Sequence, residues 1–130
     1  MRIKEMADRT GVSERLLRYY EEQGLLTPAR LPSGYRVYSD ADVDTVRHIR
    51  TLLAAGLTTA TIARVLPCVR DDGPGLAPVC PGLVAELRQE RERIARAIED
   101  LRASQGMLDT IIGAGPAGTA TPTRQPVPEG

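Results

Sequence analysis

The apolar positions of the first 66 residues fall into short helical stripes separated by glycines and capping residues. Ile3, Met6 and Ala7 are spaced i, i+3, i+4, one face of a helix over residues 3–10 that Gly11 stops. Ser13 is a good N-cap, and Leu16, Leu17 and Tyr20 then share a face of a second helix that Gly24 ends. Two short helices around a Gly-containing turn make a helix-turn-helix pattern. Pro32-Ser33-Gly34 is a turn signal, and Tyr35-Arg36-Val37-Tyr38 alternates, with Tyr35 and Val37 on one face and Arg36 and Tyr38 on the other. Residues 28–38 therefore read as a short β-hairpin, a wing. Ser39 caps a third helix, with Asp40 and Asp42 in its first turn, where the helix dipole favours negative charge. Val43, Val46, Ile49, Leu52 and Leu53 form its stripe and Gly56 ends it. Thr58 caps a fourth helix carrying Ile62, Val65 and Leu66, which Pro67 stops.

Residues 1–69 thus read as one head. Residues 70–82, with Cys68 and Cys80 at the edges, have the Pro/Gly-rich composition of a linker. A long helix follows over 83–112. Leu87, Ile94, Leu101 and Leu108 recur every seven residues, as do Val84, Arg91, Ile98, Gln105 and Ile112, which are the d and a rows of a heptad repeat. The d row is wholly aliphatic. At about 1.5 Å per residue the helix spans roughly 45 Å, more than the small head can cover. Pairing with the same helix of a second chain is the simplest burial, through Leu87, Ile94, Ile98, Leu101 and Leu108. Residues 113–130 are rich in Gly and Pro and read as a disordered tail. The fold class is mainly α: a winged helix-turn-helix head, then a coiled-coil dimerisation helix.

Composition narrows the function. The 130 residues carry 17 basic and 17 acidic side chains, so the chain does not coat nucleic acid by bulk charge. Residues 1–66 hold 10 basic and 8 acidic groups, a local excess of two. No run of about 18 apolar residues exists, so no membrane span is expected. The start has no signal-peptide pattern and there are only two cysteines, which points to a cytoplasmic protein. One His, no activated nucleophile motif and no Gly-rich phosphate loop argue against an enzyme.

The chemistry concentrates on the helix-turn-helix. Arg15 and Arg18, at i and i+3 on the exposed side of the second helix, stand where a recognition helix faces the major groove. Arg36 and Tyr38 on one face of the wing suit the phosphate backbone. Two plainer roles compete: the arginines pair with Glu14, Glu21 or Glu22, and the tyrosines fill the core.

The stretch Gly11-Val12-Ser13-x-x-x-Leu17-Arg18-Tyr19-Tyr20-Glu21-x-x-Gly24-Leu25-Leu26 resembles the MerR family of transcriptional regulators, as does Gly34-Tyr35-Arg36-x-Tyr38-Ser39-x-x-Asp42-Val43. The match covers residues 1–66 closely and 83–112 in architecture. The resemblance implies an antiparallel coiled-coil homodimer on an inverted repeat in double-stranded promoter DNA. It implies that effector binding bends and untwists the promoter, so that RNA polymerase is served indirectly through the DNA, on the nucleoid. By matching positions, Arg15 and Arg18 reach bases or nearby phosphates, while Tyr19, Arg36 and Tyr38 hold phosphates.

For the effector, short metal- or oxidant-sensing members carry a cysteine near the start of the long helix, matched by Cys80, and more just after its end, where Ile111-Ile112-Gly113-Ala114-Gly115-Pro116 has none. That departure speaks against a mercury-like or copper-like site. Pro81 suits a first helical position, placing Cys80 at a helix start where a thiol is more reactive. Cys68 and Cys80 admit three roles: a redox disulfide, a metal shared between chains with help from His48, or an inert core residue and an idle cap. No other cofactor is expected.

Overall fold

Local signals place the helices. The computed structural model describes residues 1–116. Helix α1 (Ile3–Thr10) closes at Gly11, whose φ of 72° lets its N–H return to the Ala7 carbonyl; a side chain there would be strained. Ser13 accepts the Leu16 N–H and starts α2 (Glu14–Glu22). Strands β1 (Ala29–Arg30) and β2 (Arg36–Val37) pair antiparallel, Ala29 opposite Val37, and form the wing. Helix α3 (Asp40–Ala54) opens on a complete capping box: Asp42 donates its N–H to the Ser39 hydroxyl, and its carboxylate accepts the Ser39 N–H. Thr58 caps α4 (Thr59–Val65), which tightens into a 3-10 turn at Leu66–Cys68 where Pro67 interrupts it.

The core is aliphatic with two tyrosines. Met6 of α1, Leu17 and Tyr20 of α2, Val46, Ile49 and Leu52 of α3, and Ile62 and Val65 of α4 meet there, with Leu25, Leu26 and Leu57 from the loops. Leu16 does not join Leu17 and Tyr20; it is 38% exposed. It lies one helical step (about 100°) from Leu17, on the shoulder of the stripe rather than its centre.

The segment 70–82 is not a linker. Strands β3 (Val69–Asp72) and β4 (Gly75–Pro78) form a second hairpin, Val69 opposite Pro78 and Asp72 opposite Gly75. Val69 and Leu76 pack against the core, and the Asp72-Gly73-Pro74-Gly75 composition that suggested a linker is its turn. Nor does the head stop at residue 69. One compact unit spans Met1–Leu87, and Leu83 is buried in its core. The long helix α5 runs Leu83–Gly113, one residue beyond the sequence reading, and begins two residues after Pro81. Cys80 therefore precedes the helix, and Pro81 does not take its first position.

The second unit begins at Arg88. Within it α5 leaves its heptad positions open: Leu101 is 70% and Leu108 58% exposed, and Ile94 and Ile98 are also exposed. Ile98, Leu101, Gln105 and Leu108 line a shallow, mostly apolar groove of about 460 Å³. Of the expected tail 113–130, residues 117–130 lie outside the described residues.

Candidate nucleic-acid interface

Burial of Leu17 and Tyr20 sets the rotation of α2, and this turns Arg15, Arg18 and Tyr19 outward; all three are exposed. Arg15 makes no ion pair among the described residues. Arg18 lies 3.6 Å from Glu14, one turn earlier, an exposed contact of little strength. The plainer role for these arginines, pairing along their own helix, is thus weakly met for Arg18 and unmet for Arg15.

The wing is tied to α2 by Glu21. One oxygen of its carboxylate accepts from Arg36 Nε at 2.6 Å and the other from Arg30 Nη2 at 3.2 Å, so one half-buried acid holds both strands. Arg30 also donates to the Gly34 carbonyl at 3.1 Å across the wing turn. Gly34 has a φ of 92°, which a tight tip of this kind demands of its residue. Arg36 is thereby held beside α2. Glu21 and Arg30 carry this arrangement; the sequence points to Glu21 only as a partner for the arginines of its own helix, and it does not mark Arg30. The contact spans 15 residues, beyond any local spacing rule; the only sequence signal was an acid next to buried Tyr20.

Tyr38 corrects the sequence reading. It is 1% exposed, its hydroxyl is buried, and that hydroxyl has no hydrogen-bond partner among the described residues. The wing's alternation ends at Val37. Tyr38 instead pairs with Met1: each donates its N–H to the other's carbonyl at 2.7 Å, the Met1 donor being its amino group. The ring turns inward. Burial pushes the hydroxyl's pKa up; the Glu21 carboxylate adds to this, while Arg36 and Arg18 oppose it. Tyr38 is a neutral core residue and presents nothing to a phosphate. Tyr35, from the opposite face, is the exposed wing tyrosine, and the Arg2 guanidinium lies 4.3 Å from its ring centre.

The two cysteines are brought together. Cys68 and Cys80 form a disulfide, with Cα atoms 5.0 Å apart, that closes the base of the second hairpin beside the Val79 N–H to Cys68 carbonyl bond. The hairpin is also clamped to α3. Asp71 accepts from Arg47 at 2.8 and 3.2 Å and lies 2.8 Å from His48 Nε2, and Arg47 also binds Asp44. The hydrogen bond from Arg47, then that from His48, holds the Asp71 carboxyl well below the usual carboxylate range. Further along, Arg64 of α4 pairs with Glu86 in the first turn of α5.

A family model described as the MerR HTH family regulatory protein matches residues 1–67. The HTH-type transcriptional regulator HmrR of Sinorhizobium medicae (strain WSM419) is 38% identical over 102 residues, 78% of this chain and 69% of its own. The mercuric resistance operon regulatory protein of Bacillus cereus is 35% identical over 108 residues, 82% of this chain and 79% of its own. Among solved structures, the transcription regulator PbrR691 from Ralstonia metallidurans CH34, in complex with lead(II), has a TM-score of 0.75 at 26% identity, covering 92% of this chain and 91% of that one.

Two of these proteins are named for, or solved with, a heavy metal. The donors here do not fit such an ion. Both sulfurs are bonded to each other, His48 is turned to Asp71, and no group of three or more His, Cys, Asp or Glu side chains converges among the described residues. No helix among those residues is long and apolar enough to cross a membrane. Helix-turn-helix, arginine-bearing wing, long terminal helix and extended sequence match agree: the chain is a DNA-binding transcription regulator and belongs to the MerR family.

Proposed function

We propose that this regulator works as a homodimer on an inverted repeat within a promoter, its two chains joined as an antiparallel coiled coil along α5. The observation that carries the reading is the aliphatic stripe of α5. Leu101 and Leu108 are more than half exposed in a single chain and lie on one heptad seam with Ile94 and Ile98. Burying such side chains contributes roughly 1.5–3 kcal/mol each. A second copy of the same helix is the one partner whose pattern must match. Two heads fixed by twofold symmetry then read two half-sites. Arg15 and Arg18 face base edges and nearby phosphates, and Tyr19 and Arg36 hold the backbone. Transcription switches when the dimer bends and untwists the promoter, which realigns its elements for RNA polymerase without direct contact. The protein acts in the cytoplasm, on the nucleoid, and is not an enzyme.

The effector is a thiol–disulfide change at Cys68 and Cys80 rather than a bound metal. Two electrons and two protons from a dithiol reductant convert the bond to two thiols and leave the reductant as its own disulfide. The bond closes the second hairpin, so its state bears on how that hairpin is held within the unit Met1–Leu87.

The test is a footprint on the DNA upstream of the protein's own gene, run oxidised and reduced. A twofold-symmetric protected site, with in vitro transcription that differs between the two redox states, is the expected result. An asymmetric footprint, or identical transcription in both states, refutes the dimer reading or the redox reading respectively.

A further inference from the structure

We propose that Arg2, held over the Tyr35 ring, completes a seat for one backbone phosphate of the DNA, formed with Arg18 and Arg36. The proposal rests on the reading that this head binds DNA, and adds a contact that the helix-turn-helix pattern alone does not supply.

Between the start of α1, the outer face of α2 and the wing lies a cleft of about 300 Å³ lined by Arg2, Ile3, Arg18, Tyr35 and Arg36. Three guanidiniums border it and no carboxylate does. The acids that contact its arginines are shared or loosely held. Glu21 is divided between Arg36 and Arg30, and Glu14 is only loosely engaged with Arg18. Arg2 forms no ion pair among the described residues. The cleft is therefore a local concentration of positive charge within residues 1–66, whose basic excess is only two, and exposed Arg18 of α2 lines it.

Arg2 is also placed rather than trailing. The two 2.7 Å bonds between Met1 and Tyr38 tie the backbone just before it to the root of the wing. Its guanidinium packs on the face of Tyr35, the most exposed tyrosine of the chain. A guanidinium held over a ring face keeps N–H donors that can match phosphate oxygens in a bidentate fork. Arg36, held by Glu21 through Nε, also lines the cleft and keeps further N–H groups for a ligand. A phosphodiester, singly charged with two free oxygens, suits a site walled by arginine forks.

The measurement is binding of the full chain to a duplex carrying its footprinted site and to a scrambled duplex, across a series of salt concentrations. Arg2→Ala should weaken both duplexes alike, by about tenfold, and lower the salt slope by about one. Arg2→Lys should keep the slope but not the full affinity, because the charge stays and the fork is lost. Tyr35→Leu should weaken binding about two- to fivefold without changing the slope. Ethylation interference supplies a readout that misfolding cannot imitate: one phosphate per half-site blocks wild type when ethylated and hinders Arg2→Ala markedly less. Arg15→Ala separates this proposal from the reading beneath it. If Arg15→Ala weakens binding while Arg2→Ala binds both duplexes as wild type does, the seat is wrong and the DNA-binding surface stands. If wild type binds neither duplex, the DNA-binding reading beneath the proposal fails and the seat fails with it.

Discussion

Tyr38→Phe should make the protein more stable and leave its DNA affinity unchanged. The Tyr38 side chain is 1% exposed, and its oxygen is buried with no partner among the described residues. A buried polar group left unpaired costs about 1–3 kcal/mol. Phenylalanine keeps the ring and its packing and removes only that oxygen. The expected gain is thus about 1–2 kcal/mol, allowing for a small void where the oxygen was. For a unit of fewer than 100 residues, 1 kcal/mol moves the melting temperature by roughly 4–8 °C. The assay is thermal unfolding of wild type and variant at equal protomer concentration, since dimerisation couples stability to concentration. Titration with the footprinted duplex completes it. The opposite outcome has a definite meaning. A lower melting temperature requires that the hydroxyl has a partner inside the fold, and weaker DNA binding with stability intact requires that it reaches a phosphate. Either result refutes the assignment of Tyr38 as an unpaired core residue.

Leu101→Asp places a charge on the proposed seam and should give monomers by light scattering at micromolar concentration; a variant that remains dimeric rules out α5 as the pairing element. The Asp71 clamp should depend on pH. Its carboxyl is held below the unfolded value, so its stabilisation is present above about pH 4 and is lost as pH falls through the lower folded value. Wild type should therefore lose stability below pH 4 faster than Asp71→Asn, and parallel acid melting curves would contradict the clamp. The Cys68→Ser, Cys80→Ser double variant should be less stable by up to about 3 kcal/mol, the loop between the cysteines being short. Its promoter output should no longer differ with thiol reductant or oxidant, and a response equal to that of wild type would make the disulfide purely structural.

What could be read in the sequence and what could not divide by distance along the chain. Ser13, Ser39 with Asp42, and Thr58 act within one helical turn, and each caps the helix that its spacing indicates. The seven-residue rows of α5 are equally local. Misreadings arose where a partner lies far off in sequence. Tyr38 alternates with Val37 by the strand rule, yet its backbone leaves the strand to pair with Met1, 37 residues earlier, and the side chain turns into the core. The second hairpin was hidden by its own turn. Asp71-Asp72-Gly73-Pro74-Gly75 reads as linker, and only packing of Val69 and Leu76 on the core, with Arg47 and His48 reaching Asp71, makes it structure. The two cysteines were placed correctly at its edges, but their bond needs the hairpin that the composition concealed.

In this head of almost neutral charge, four carboxylates are engaged by particular arginines. Glu21 takes Arg36 and Arg30, Asp40 takes Arg9 at 2.7 Å, and Asp44 and Asp71 take Arg47. Each pair fixes a guanidinium to the scaffold: wing to α2, α1 to α3, second hairpin to α3. Such exposed pairs add little stability singly. Their consequence lies in what they leave over. Arg15 and Arg2 have no acid among the described residues, and Arg18 has only a loose one; all three lie on or beside the outward face of α2. Net charge therefore understates the attraction of the proposed DNA surface for a polyanion, because these three guanidiniums carry no close ion pair among the described residues. Long-range attraction from a nearly neutral chain is weak, so association should be slow relative to strongly basic regulators, while the bound state is held by a few aimed contacts. Removing one of those contacts, such as Arg15, should then raise the dissociation rate far more than it lowers the association rate.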